Sequence, residues 1–175
     1  MFARTQRLFL RPGWLEDAEP LARAIGDRAV AETLARVPHP YTMDDARAYL
    51  AAPEDAWPRL LIFLMDGGEA KLAGGIGLDE DDRGINLGYW IARPYWGQGI
   101  ATEAGRAMLE IADTSLGLDR IVAGHFHGNE TSGNVLRKLG FRPTGTSSRR
   151  YNVVRGAILP CVDFVRDRQP AALAA

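Results

Sequence analysis

Apolar residues recur along this chain with two periods, and the switches between them mark its elements. Residues 7–11 alternate, placing Leu8 and Leu10 on one face, and Pro12-Gly13 closes what the pattern predicts as a first strand. Residues 17–25 change to helical spacing with Leu21, Ala24 and Ile25 inward. Pro38, His39 and Pro40 mark a loop, and Thr42 is a good N-cap for a helix running to about residue 51. Residues 60–65 and 71–78 read as a hairpin turning at Asp66-Gly67-Gly68, and the acidic run 79–82 as a solvated turn, with attraction of a cationic acceptor the alternative. Leu87, Tyr89 and Ile91 alternate again, and Pro94 ends that strand. From Gly99 the period is helical: Ala101, Ala104, Met108 and Ile111 share one face, with Arg106, Glu110 and Asp113 on the other. Residues 121–126 form the next strand. Asn129 caps a short helix holding Val135, Leu136 and Leu139, which Gly140 ends. Residues 141–146 and 157–165 read as an antiparallel pair joined by a loop, 147–156, that carries Arg149, Arg150 and Arg155. Residues 169–175 read as a frayed tail.

Strands and helices thus interleave over 175 residues, a length that suits a single α/β domain spanning 1–175 with a substantial core. A formal net charge of −1 gives no sign of a nucleic-acid binder. The longest apolar run, 60–65, is far too short for a membrane span, and no basic-then-apolar leader opens the chain. Cys161 is the sole cysteine, which excludes an internal disulfide and fits a reducing cytoplasm.

The chemistry concentrates in residues 87–112. A strand feeding Gly97-Gln98-Gly99 into a helix N-terminus leaves several backbone N–H groups aimed at one spot, where the helix dipole favours phosphate or pyrophosphate. No GxxxxGK[ST] run is present, which argues against a P-loop. A dinucleotide fingerprint is incomplete: Thr102 stands where the third glycine belongs, and Asp119 precedes the next apolar run instead of following it. Glu103, in the first helical turn, is explained by the dipole, with a part in catalysis the alternative.

The neighbouring residues carry a resemblance. Trp96-Gly97-Gln98-Gly99-Ile100-Ala101 resembles the acyl-CoA pyrophosphate loop Q/R-x-x-G-x-G/A of GNAT N-acetyltransferases, and its frame LGYWIARPYWGQGIATEA resembles the RimJ/RimL branch. Asn129-Glu130-Thr131-Ser132 with Arg137-Lys138-Leu139-Gly140-Phe141 resembles that branch's N-x-x-S…KLGF, and Thr5 to Pro12 its T-x-R-L-x-L-R. The likeness covers residues 5–168. It implies a GNAT fold: a mixed, mostly antiparallel central sheet with splayed fourth and fifth strands, flanked by helices. It also implies acetyl-CoA as co-substrate, no metal, and transfer of acetyl to a primary amine, either a protein N-terminus or a small molecule, by a monomer or homodimer.

By the same resemblance, the backbone of Gly97, Gln98, Gly99, Ile100, Ala101 and Thr102 holds the pyrophosphate. Trp90, Ile91 and Ala92 pair with the pantetheine amides, and the Ile91 N–H polarises the thioester oxygen. Asn129, and Asn134 if it reaches, bind the pantetheine arm. Trp14, Pro40 and Tyr41 lie on the acceptor side, core packing being the alternative for Trp14. Arg149 and Arg150 meet an acceptor bearing acidic groups.

The chain departs from the wider superfamily in three places. Leu136 stands where many members have a thiolate-protonating tyrosine, and Ser132 is the branch's substitute, either as general acid or as part of the helix cap. Asn86 lies near the place of a strand-four glutamate, so the base is left to His125, His127 or a water relay, with core or loop packing the plainer account of each histidine. Trp96 replaces Gln or Arg. Two further readings stay open: a non-catalytic acyl-CoA-binding module, and a dinucleotide-binding protein.

Overall fold

Eight strands form one sheet in the order β1-β2-β3-β4-β5-β6-β8-β7. The computed structural model describes residues 1–53 and 56–168; the expected frayed tail lies outside the described residues. The strands are β1 (Ala3–Arg4), β2 (Leu8–Arg11), β3 (Arg59–Asp66), β4 (Glu69–Asp81), β5 (Gly84–Ile91), β6 (Arg120–Phe126), β7 (Arg142–Asn152) and β8 (Ala157–Asp167). The helices are α1 (Ala18–Ile25), α2 (Arg28–Ala31), α3 (Met43–Ala51), α4 (Ile100–Thr114) and α5 (Glu130–Lys138). Every neighbouring pair is antiparallel except β5 and β6, which run parallel. This is the mixed, mostly antiparallel sheet expected. The splayed pair is the fifth and sixth strand, because β1 adds a short strand ahead of the expected first.

Alternation along β3 divides the core. Leu60 and Ile62 pack with Leu8, Leu10 and Met108 on the α4 face, and Leu61 and Phe63 pack with Leu21, Ile25 and Ala46 on the α1–α3 face. The α4 stripe begins at Ile100, 1% exposed, whereas Ala101 is only partly buried. A Cβ on Gly105 would come within 2.5 Å of Leu139 Cδ1, so a bare backbone at this point lets α5 close on α4. Thr42 does cap α3: its Oγ1 accepts from Asp45 N–H, and the Asp45 carboxylate accepts from Thr42 N–H at 2.8 Å.

Two expectations are corrected. Residues 147–156 are not a loop: β7 continues to Asn152, and only the next four residues turn. Its TSSRRY stretch has no apolar face to betray a strand, because β7 is an edge of the sheet and largely exposed. The hairpin is anchored at its tip, where buried Asn152 donates through Nδ2 to Glu32 O (3.0 Å) and Leu34 O (3.2 Å), and Val153 N–H donates to Ala35 O. The acidic run is strand as far as Asp81, with Asp79 bound by Arg36 and Asp81 by Arg83. Residues 15–17 form a 3-10 turn ahead of α1.

Candidate active site

Gly97 and Gly99 both lie at φ +77°, the left-handed region that glycine enters freely, and Gly99 caps α4 without a side-chain hydrogen bond. Glu103 N–H is bound to Gly99 O, so the N–H groups of Ile100, Ala101 and Thr102 precede the first helical acceptor. Nothing lies within 4 Å of a Cβ built on Gly97. A bare, open cradle of N–H groups at the head of a fifteen-residue helix fits a pyrophosphate. The Gln98 side chain folds away, donating to Pro94 O at 3.0 Å.

Arg7 braces this loop. Its Nη1 donates to Gln98 O at 3.1 Å, and its Nε and Nη2 contact Glu103 Oε2 at 2.8 and 2.7 Å. Glu103 also accepts from Thr5 Oγ1 and Arg7 N–H. Burial raises its carboxyl pKa, but these hydrogen bonds outweigh burial and hold it below the usual range. Glu103 therefore fastens the β1–β2 turn to α4, a tie no local pattern announced.

β5 leads from this loop into the sheet. Ala92 N–H donates to Ala73 O at 2.8 Å, so by alternation Trp90 also turns its backbone toward β4 and Ile91 turns away from it. The Ile91 carbonyl confirms that direction by accepting from Trp96 Nε1 at 2.6 Å. Of the three residues expected at the pantetheine edge, Ile91 alone faces the open side. Trp96, which broke the expected motif, thus holds the strand end in place. β5 and β6 share a single pair, Asn86↔Val122, and diverge beyond it. Tyr89 bridges the gap, its hydroxyl donating to Ser132 O at 3.1 Å. Asn129 caps α5 by accepting from Ser132 N–H at 3.3 Å; Ser132 Oγ is not the cap.

On the other face lies a cleft of about 610 Å³. Leu34, Val37, Tyr41 and Tyr49 wall it on one side, Trp90 and Ser132 on another, and Arg150 and Cys161 on a third. Its floor is bare. Gly77 and Gly88 oppose each other across β4 and β5, and Gly124 on β6 sits two residues past the Asn86↔Val122 pair, as Gly88 does. Beyond them Asn86 Nδ2 donates to Asp79 Oδ1 at 2.9 Å. Burial, with help from Asp45, pushes the Tyr41 hydroxyl up to about 12. Burial and Asp163 push the Cys161 thiol up to about 11.

Residues 7–142 match the family model described as an acetyltransferase (GNAT) domain. The chain belongs to the GNAT acetyltransferase family. It is 29% identical over 166 residues to the uncharacterized N-acetyltransferase p20 of Bacillus licheniformis, covering 91% of this chain and 92% of that one. Its fold matches ribosomal-protein-S5-alanine acetyltransferase from Vibrio fischeri (TM-score 0.75, 19% identity, 97% and 100% of the two chains). It also matches the microcin C7 self-immunity acetyltransferase MccE, solved with acetyl-CoA and AMP (TM-score 0.79, 18% identity, 94% of each). Membership removes the dinucleotide reading, as the placement of Thr102 and Asp119 had argued.

Within this GNAT frame the cleft collects Tyr41, Asn129, Ser132 and Arg150 from four separate stretches. Four expected residues lie elsewhere. Arg149, one residue out of phase with Arg150, faces away and reaches toward Ile158 O. Trp14 is neither core nor cleft: it is 50% exposed and stacked under the Arg11 guanidinium. Pro40 is exposed outside the cleft, which Pro38 lines instead. Asn134 is exposed and bound to Arg137. His125 is buried, its Nδ1 against Phe126 O at 2.8 Å and its ring tilted on Phe164, yet it lines the cleft and its Nε2 has no hydrogen-bond partner, while His127 is exposed. Sequence reasoning passed over Arg7, Tyr89 and the glycine floor. Glycines at alternate positions inside strands were the available signal for the floor.

Proposed function

We propose that this acetyltransferase moves acetyl to a primary amine that lies in the cleft over Gly77, Gly88 and Gly124. The single-pair junction of β5 and β6 carries this reading, because it opens a path from the Gly97–Gly99 cradle, past the free edge of Ile91, to that floor. Bound acetyl-CoA supplies an activated thioester. Backbone N–H groups from Gly97 to Thr102 hold its pyrophosphate, and the Ile91 N–H polarises the thioester oxygen. Asn129, whose Oδ1 is committed to the cap, has its Nδ2 for the pantetheine arm. Ser132 Oγ, free of capping duty, holds the proton for the leaving thiolate. Leu136 is 1% exposed in the core, where a tyrosine would need room for its ring. The amine, with a pKa near 10, loses its proton to water in the cleft, drawn toward the Asp79–Asn86 pair.

The resemblance to the RimJ/RimL branch supports a protein N-terminal amine as acceptor, and a cleft of this size also admits a small amine. The lone buried Cys161 supports a reducing, cytoplasmic setting. Free-thiol release from acetyl-CoA, screened over amines and N-terminal peptides, tests the reading. Turnover with at least one amine above the water rate is expected. Tight acetyl-CoA binding with no turnover on any acceptor would make the protein a binding module.

A further inference from the structure

We propose that Arg150 is an anion subsite of the acceptor cleft, so that the preferred acceptor is an amine carrying a carboxylate, an amino acid or short peptide in its free-acid form. This rests on the cleft being the acceptor site. The first observation is an unmet guanidinium. Arg150 Nη2 is buried and has no hydrogen-bond partner, and no carboxylate among the described residues pairs with the side chain. Other arginines on this side are matched: Arg83 reaches Asp163 and Asp81 at 2.9 and 2.6 Å, and Arg36 binds Asp79. The acid beside Arg150 is already engaged, since Asp163 Oδ1 accepts from Arg83 Nη1 and from Ser148 Oγ at 2.7 Å. A buried, unpaired guanidinium nitrogen is unfavourable unless something meets it, and a carboxylate matches its planar fork with two parallel hydrogen bonds.

The second observation is the floor beneath it. A Cβ on Gly124 would stand 3.1 Å from Val162 O, 3.5 Å from Asp163 Oδ1 and 3.6 Å from Arg150 Nη2, a space that glycine leaves open, and a Cβ on Gly88 meets nothing within 4 Å. Gly88 and Gly124 therefore leave bare backbone on either side of the β5–β6 opening, with the guanidinium at the Gly124 end. An acceptor lying along this floor puts its acid on Arg150 and its amine toward the β5–β6 opening. Arg149 takes no part, because it is on the other face.

The test pairs each of a set of amino acids and dipeptides with its own C-terminal amide and reads kcat/KM by thiol release. The wild type should favour the acid form by about tenfold, the scale of one charge-assisted contact. Arg150→Ala should bring the acid-to-amide ratio close to one, and Arg150→Lys, which keeps a charge but not the fork, should keep part of it. A ratio near one in the wild type, or a preference that survives in Arg150→Ala, overturns the proposal. A second arm needs no turnover: phenylglyoxal labelling of Arg150, read by peptide mass spectrometry, should be slowed by succinate and not by succinamide. If no amine releases thiol, the transferase reading of the cleft fails. Protection of Arg150 by succinate then still sustains the anion subsite, and equal labelling with and without succinate overturns it.

Discussion

The two sides of this sheet are built differently. The side we assign to CoA comes from one continuous stretch: β5, the turn at residues 92–99 and the head of α4. Its working groups are backbone N–H, so its chemistry depends on φ at two glycines more than on side chains. The side proposed for the acceptor is assembled from α1, the segment after α2, α3, β3 to β6, α5 and the β7–β8 hairpin, and its working parts in that reading are one arginine, several aromatics and three absent side chains. A site made of backbone is written as a short motif. A site made by convergence of so many elements is written nowhere locally, and it changes whenever one wall does.

The sharpest way to break the first side is Gly99→Val. A β-branched residue at φ +77° is strained, and its side chain covers the N–H groups of the cradle. Losing two charge-assisted hydrogen bonds should weaken CoA binding by about a hundredfold or more, read by calorimetry on a variant whose circular dichroism is native. Unchanged affinity in that folded variant would remove the loop from the site.

Ser132→Ala comes next. Because Asn129, and not Ser132 Oγ, caps α5, the substitution should cost little stability, yet kcat at saturating acetyl-CoA should fall by about a hundredfold, the usual worth of a general acid. Ser132→Thr should keep part of the rate. A Ser132→Ala enzyme within about threefold of wild type would leave solvent as the proton donor.

Asn152→Ala strikes the acceptor wall alone. It strands Glu32 O and Leu34 O at the hairpin tip, so it should cost about 1–3 kcal/mol and raise the acceptor KM while CoA affinity holds. Parallel loss of CoA affinity would show that the two sides are not separable.

The smallest effect is expected at Tyr89. Burial pushes its hydroxyl from 10.0 up to about 12. The folded state thus keeps the neutral phenol where the unfolded chain ionises. The stability this contributes is fully present below pH 10 and is lost as pH rises from there toward 12. Tyr89→Phe should cost about 1 kcal/mol at pH 8 and flatten the alkaline fall in the urea midpoint, leaving the share due to Tyr41. An unchanged alkaline limb would place the titrating group elsewhere.

The same contrast explains what could be read from residues alone. The α4 stripe, the Thr42 and Asn129 caps and the Gly97–Gly99 cradle were legible because each is settled within one turn of chain. The β7 strand was missed because an exposed edge needs no apolar alternation, and Arg149 was grouped with Arg150 for want of that strand's phase. Trp96 read as a lost contact because its bond to the Ile91 carbonyl depends on the fold of the turn between them. Arg7 and Glu103 meet across 96 positions, beyond any local pattern.

The central claim is that the two sides fail independently, and Gly88→Val tests it most directly. A Cβ at this position meets no atom within 4 Å, and valine suits a strand, so the variant should fold at wild-type stability or better. Its side chain would stand on the cleft floor. Amine-dependent thiol release should fall by about a hundredfold or more while the calorimetric affinity for CoA stays within about twofold, the mirror image of Gly99→Val. A Gly88→Val enzyme that turns over its acceptor normally, or one that loses CoA in step with activity, would contradict the account.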